Sequence, residues 1–194
     1  MSIDEMFNDK IQYMMNIILT QIGFFGPAIL FLFIIYLINR ENRLTEIHTT
    51  EIQTAIKESD NKENKTKKIC NKKQTIVHHP DIYAYIVFWQ ALNYALNEIL
   101  KRLIQQPRPE DIAYINTWDS APNIGLYGMP SGHAQQVVSE TTFIAIAFKD
   151  PLNTVVSLSI ALVTIYQRYI YQKHTVMQLI AGSVVGFITG SLFY

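Results

Sequence analysis

Residues 17–38 read IILTQIGFFGPAILFLFIIYLI, a run of 22 residues with no charged side chain. A helix needs about 20 apolar residues to cross the hydrocarbon core of a bilayer, so this run has the length of one span. Gly23, Gly26 and Pro27 within it predict a kink, tolerated in a span where neighbouring helices re-satisfy the freed backbone groups. Just upstream, Phe7, Ile11, Met14 and Ile18 recur at helical spacing. They form either an amphipathic lead-in on the membrane surface or an extension of the span. The flank Met1-Ser2-Ile3-Asp4-Glu5 lacks the basic residues of a signal peptide, so the run reads as a retained span.

Four further candidate spans lie downstream, at about 82–104, 131–148, 152–170 and 174–194. In the second span Gln90, Asn93, Asn97 and Lys101 share one helix face, and a polar stripe of this kind should look into a bundle. The third carries Gln135, Gln136, Ser139 and Glu140 and ends at Lys149-Asp150-Pro151. In the fifth, His174, Gln178, Gly182, Gly186 and Gly190 recur every four residues, and glycines so spaced let a neighbouring helix come close. The expected fold is all-α, a multi-pass transmembrane bundle of five spans in a single domain over residues 1–194.

The 16 basic and 16 acidic residues cancel, so bulk charge does not point to nucleic acid. They are strongly segregated. Residues 39–79 hold nine Lys and Arg and are rich in Asn, Thr and Glu, which predicts a mobile or loosely helical loop. By the positive-inside rule this loop is cytoplasmic. With five spans, the ends near Ile104, Ser131, Ile170 and His174 then meet on the opposite, non-cytoplasmic face. Cys70 is the single cysteine, so no intrachain disulfide forms. His78-His79 has no further ligands at metal-binding spacing and reads as solvated loop.

Three clusters meet on the non-cytoplasmic face. They are Lys101 with Arg108-Pro109, then Pro130-Ser131-Gly132-His133 opening the third span, then Arg168 with His174 opening the fifth. Three cations and two histidines grouped at membrane depth call for an anionic ligand. Arg108 and Arg168 can each hold phosphate oxygens through paired hydrogen bonds, and Lys101 adds a point charge. Ser131 and Gly132 stand where helix N–H groups are unpaired and the dipole is positive, a cradle for an oxyanion. Two histidines suit divided labour in phosphoryl transfer, one attacking phosphorus and the other moving protons. No Asp/Glu cluster with Mg²⁺-ligand character accompanies them, so neither a metal nor another cofactor is expected, and the cations neutralise the developing charge.

These residues, in this order and spacing, resemble the three signatures of the type 2 phosphatidic acid phosphatase superfamily, over about residues 93–182. The resemblance implies that Lys101, Arg108 and Arg168 bind phosphate and that Ser131 and Gly132 cradle it. It implies His133 as acid/base and His174 as the nucleophile that becomes a phosphohistidine. Two positions depart from the usual pattern: Gln167 replaces Ser before the third-signature Arg, and Gln178 replaces the Asp one turn after the nucleophile. Residue 178 can still reach the imidazole and set its tautomer, though a carboxamide stabilises an imidazolium less than a carboxylate does.

The run His174-Thr175-Val176-Met177-Gln178, with Tyr127-Gly128-Met129-Pro130 and Gln105-Gln106-Pro107-Arg108, is similar to the dolichyl diphosphate phosphatase branch. That likeness implies hydrolysis of a polyprenyl diphosphate to the monophosphate on the lumenal side of the endoplasmic reticulum. A broader lipid phosphatase acting on phosphatidic acid is a second reading, and a silent phospholipid-binding or scaffold protein a third. Glu140, two turns below His133, is expected to pair a cation or border the site. Trp118 and Tyr127 read as interfacial anchors.

Overall fold

The computed structural model describes residues 11–59, 81–109 and 127–193. Phe7, Cys70, His78, His79 and Trp118 therefore lie outside the described residues. The chain is helical from Ile11, passes through a π-helical turn at Ile18–Ile22, and continues as α1 (Gly23–Ser59). There follow α2 (Asp81–Ile104), α3 (Gly132–Phe148), α4 (Pro151–Ile170) and α5 (Val176–Leu192). The lead-in is thus an extension of the first span. α1 also does not stop where the apolar run ends, but carries helix into the polar segment as far as Ser59.

Helix boundaries follow local chemistry. Ser131 caps α3, its side chain accepting from the Ala134 N–H, and Lys149 ends that helix in the left-handed region at φ 51°. Asp150 then caps α4 by accepting from the Leu152 N–H, with Pro151 at the first helical position, where its missing N–H costs nothing. Thr175 and Gln178 form a reciprocal capping box that starts α5 at Val176. His174 therefore sits just ahead of this helix rather than opening it, because the cap at Thr175 fixes the start two residues later.

The helices touch through small residues. A Cβ at Gly182, Gly186 or Gly190 would lie 2.4, 2.2 and 2.4 Å from the carbonyl oxygens of Ser131, Gln135 and Ser139. These three glycines of α5 therefore ride directly on the backbone of α3, the most extensive helix contact in the fold. Gly23 and Gly26 serve α1 in the same way, where a Cβ would meet Gln167 and Thr164 of α4 at 2.6 and 1.9 Å. In one half of the bundle Leu30, Ile34, Leu37, Ile86, Trp89, Val137 and Ile144 pack as an apolar core.

The other half is polar inside. Asn97 Nδ2 donates to Gln135 Oε1 at 2.8 Å, and Gln135 Nε2 donates to Asn93 Oδ1 at 2.7 Å. Thr189 joins the same network through Asn93 Oδ1 and Ser139. Outward faces are apolar: Val87, Phe88, Leu103, Leu152, Val155, Leu162, Ile180, Val184 and Phe187 are exposed. A soluble protein buries such side chains and exposes its amides, so this inverted arrangement is that of a bundle solvated by lipid. Among the described residues, one helix, Ile11–Gln53, is by itself long and apolar enough to cross a membrane; Val176–Leu192 is apolar but shorter. The chain is a membrane protein.

Candidate active site

The ends of α2, α3 and α4, the start of α5 and the first turns of α1 surround a cavity of about 390 Å³. Lys101, Arg108, Gly132, His133, Arg168 and His174 all line it. The structure thus brings together six of the eight residues singled out from sequence. Its remaining walls are Phe24, Phe25, Pro27 and Ala28 from α1, with Asn93, Tyr94, Asn97, Glu98, Gln135 and Gln136. Gly132 lacks a side chain because Asn97 stands close: a Cβ there would lie 3.0 Å from Asn97 Oδ1 and 3.8 Å from Lys101 Nζ.

His174 occupies the loop between α4 and α5, anchored by the Lys173 N–H donating to the Arg168 carbonyl at 2.9 Å. Its Nδ1 lies 2.9 Å from the Gly128 carbonyl and 3.2 Å from Gln178 Oε1. Both partners are acceptors, so Nδ1 carries the proton and Nε2 keeps its lone pair. Burial pushes the imidazole down to about 3, the nearby Arg108 and Arg168 charges add to this, and the Gln178 and Gly128 bonds oppose it. The ring is therefore neutral at physiological pH, with its lone pair on Nε2.

Arg168 is buried, and its Nη2 stands 2.9 Å from His133 Nε2. A guanidinium only donates, so His133 Nε2 is an acceptor in this arrangement. Phe24 of α1 stacks beside both groups, 5.8 Å from the His133 ring and 5.3 Å from the Arg168 guanidinium carbon. Sequence reasoning missed Phe24, since nothing in the local pattern of the first span marks one phenylalanine among several. Lys101 is paired with Glu98 at 2.9 Å, one turn back on α2.

The other two residues stand behind the cavity wall. Ser131 is fully buried, its N–H donates to the Gln178 carbonyl at 3.0 Å, and its hydroxyl serves the helix cap. The Ala134 and Gln135 N–H groups are likewise taken up by Ser131, through its hydroxyl and its carbonyl, so the N–H groups of the first turn that remain for an anion are those of Gly132 and His133. Gln178 is also buried and touches the cavity through His174. Glu140 departs from expectation: among the described residues its partners are amides, Gln90 Nε2 at 2.8 Å and Gln136 Nε2 at 3.3 Å, and no cation. The two-turn spacing from His133 carries Glu140 deeper than Arg108, which follows the end of α2, and Arg168, which sits in the last turn of α4. Tyr127 forms a short antiparallel bridge with Pro107, so it closes the frame of the site as well as flanking it.

The family model for the PAP2 superfamily matches residues 82–194, more than half of the chain. The chain belongs to the PAP2 superfamily. Within it, the chain is 30% identical over 110 residues to lipid phosphate phosphatase gamma of Arabidopsis thaliana, covering 51% of this chain and 46% of that one. It is also 30% identical over 120 residues to dolichyldiphosphatase of Saccharomyces cerevisiae, covering 56% and 49%. The chain spans about half the length of the curated relatives it matches. A transmembrane PAP2-type phosphatidylglycerolphosphate phosphatase from Bacillus subtilis aligns over 87% of this chain and 94% of its own, with TM-score 0.45 and 13% identity.

Proposed function

We propose that this PAP2 protein hydrolyses a polyprenyl diphosphate of the dolichyl type to its monophosphate, without a metal, through a phosphohistidine on His174. The observation that carries the reading is the cavity holding three cations and an imidazole whose Nδ1 is locked as donor, leaving Nε2 to attack. His174 Nε2 forms a bond to the terminal phosphorus as the bond to the bridging oxygen breaks and the lipid monophosphate departs. Arg108, Arg168 and Lys101 hold the phosphate oxygens and offset the charge that develops on them. Water then attacks the phosphohistidine, His133 Nε2 takes its proton, the P–N bond breaks, and inorganic phosphate leaves.

The state of His133 favours an anhydride over a monoester. With Nε2 accepting from Arg168, His133 is ready to take a proton from water but holds none at that atom for the leaving group. A departing lipid monophosphate, with its second pKa of about 6, needs little protonation, whereas an alkoxide does. The isoprenoid tail leaves sideways past Phe25 and Tyr94, which border the cavity and are exposed on the lipid side. The nine basic residues of segment 39–79 support a cytoplasmic side for that segment, and with it the reading that the cavity faces the lumen of the endoplasmic reticulum. A broader lipid phosphate phosphatase activity is the second reading, favoured by the likeness to the Arabidopsis protein of that name.

The full chain purified in detergent with excess EDTA, given polyprenyl diphosphate or phosphatidic acid, separates these readings. Faster phosphate release from the diphosphate is expected, and preference for phosphatidic acid would replace the first reading by the second. No release from either substrate would sink both. His174→Ala should lose at least about a thousandfold in kcat, as removal of a nucleophile does; unchanged release would remove His174 from that role.

A further inference from the structure

Every hydrogen-bonding valence of the Gln178 amide is in use. Oε1 accepts from His174 Nδ1 and from the Thr175 N–H, each at 3.2 Å. Nε2 donates to the Pro107 carbonyl at 2.8 Å and to Gln106 Oε1 at 3.3 Å. Two donors on one side and two acceptors on the other fix which way the amide points. The Gly128 N–H donates to the Gln106 carbonyl at 2.8 Å, and a Cβ on Gly128 would lie 2.5 Å from Gln178 Oε1. The residue before Arg108 is thus tied to the residue that holds the nucleophile.

We infer that Gln178 is a positioning residue that clamps the Arg108-bearing segment to His174, and that its neutral amide is required because it accepts on one side and donates on the other. An aspartate could still orient the imidazole. It could not donate to Pro107, and it would set a carboxylate toward two acceptor oxygens. The clamp explains why a glutamine serves where an orienting carboxylate would otherwise suffice. It rests on the proposed activity only for the choice of substrate.

Gln178→Glu keeps the length but replaces the donor that faces Pro107 with an acceptor, whereas Gln178→Asn keeps the amide but is one methylene too short to reach Pro107 and His174 together. With polyprenyl diphosphate and excess EDTA, both should raise KM by about tenfold, and because the clamp also holds His174 a fall in kcat should accompany that rise rather than replace it. In an Arg108→Ala background the KM effect of either change should vanish. Additive effects, a wild-type KM in Gln178→Glu, or unchanged KM in both would overturn the clamp. As a second measurement, the Gly128 amide, which donates to the Gln106 carbonyl, should exchange hydrogen at least about tenfold faster in Gln178→Asn than in the wild-type chain. Equal exchange would also overturn it. If the wild-type chain hydrolyses no lipid phosphate, the enzyme reading fails while the exchange comparison still decides the clamp.

Discussion

At the scale of single residues, the site is governed by which atoms carry protons. His174 gives Nδ1–H to two acceptors and is held near pKa 3 by burial and by two arginines, against 6.5 for a free imidazole. Between these values the unfolded chain binds a proton that the folded chain refuses, so stability present at neutral pH drains away as pH falls from 6.5 toward 3. The unfolding midpoint in detergent should drop between about pH 7.5 and 5, and His174→Gln should drop less. Equal acid sensitivity in both would disprove this. Gly128 needs no unusual backbone angle, so Gly128→Ala should act through contact with Gln178 alone. Phosphate release should fall by about tenfold or more as the Cβ pushes Gln178 off His174 and Pro107, and Gln178→Ser in the same chain, which removes those contacts itself, should not restore it.

Residue identities at the site were readable because phosphate chemistry demands few side-chain types and the helix ends bring them together. What escaped was everything defined by distant backbone. Ser131 gives its N–H to the Gln178 carbonyl, Gln178 itself reaches Pro107, and Phe24 arrives from a helix more than a hundred residues away in sequence. No spacing rule encodes such meetings.

At the scale of helices, small residues set the architecture. Gly186 lies so close to the Gln135 carbonyl that even an alanine must push α5 away from α3. Gly186→Ala should cost about 1–3 kcal/mol, read as a lower midpoint in thermal unfolding in detergent, and a neutral effect would mean the seam yields freely. The opposite sign is expected at the end of α3. Lys149 holds φ 51°, a region that glycine enters without steric cost, so Lys149→Gly should stabilise by up to about 1 kcal/mol. The glycine periodicity was legible because α5 presents one face to one neighbour. The length of α1 was not, because helix persists through the polar residues after Ile38, where the apolar signal stops while Glu, Arg, Leu and Thr still favour or tolerate helix.

At the scale of the whole molecule, an amide-lined interior and an apolar exterior suit lipid on all sides, and charge asymmetry sets the orientation. Cys70, the single cysteine, lies in the basic segment that we assign to the cytoplasm. In sealed microsomes of native orientation an impermeant maleimide should label it without detergent, and labelling that needs detergent would invert the topology. The all-α class and the span order were legible from hydropathy, since each span is a separate run between polar stretches. The meeting of the helix ends was legible too, since the span count puts all three signatures of a PAP2 chain on one face; the tie from Gln178 to Pro107 between them was not.

The bridge of Pro107 with Tyr127, and the Gly128–Gln106 hydrogen bond beside it, have a consequence for how such proteins diversify. They tie Gln106 and Pro107 to Tyr127 and Gly128, and the Gly128 carbonyl and Gln178 carry that tie on to His174. An exchange of residues 110–126 for another sequence of the same length should therefore leave Arg108 and His174 in place.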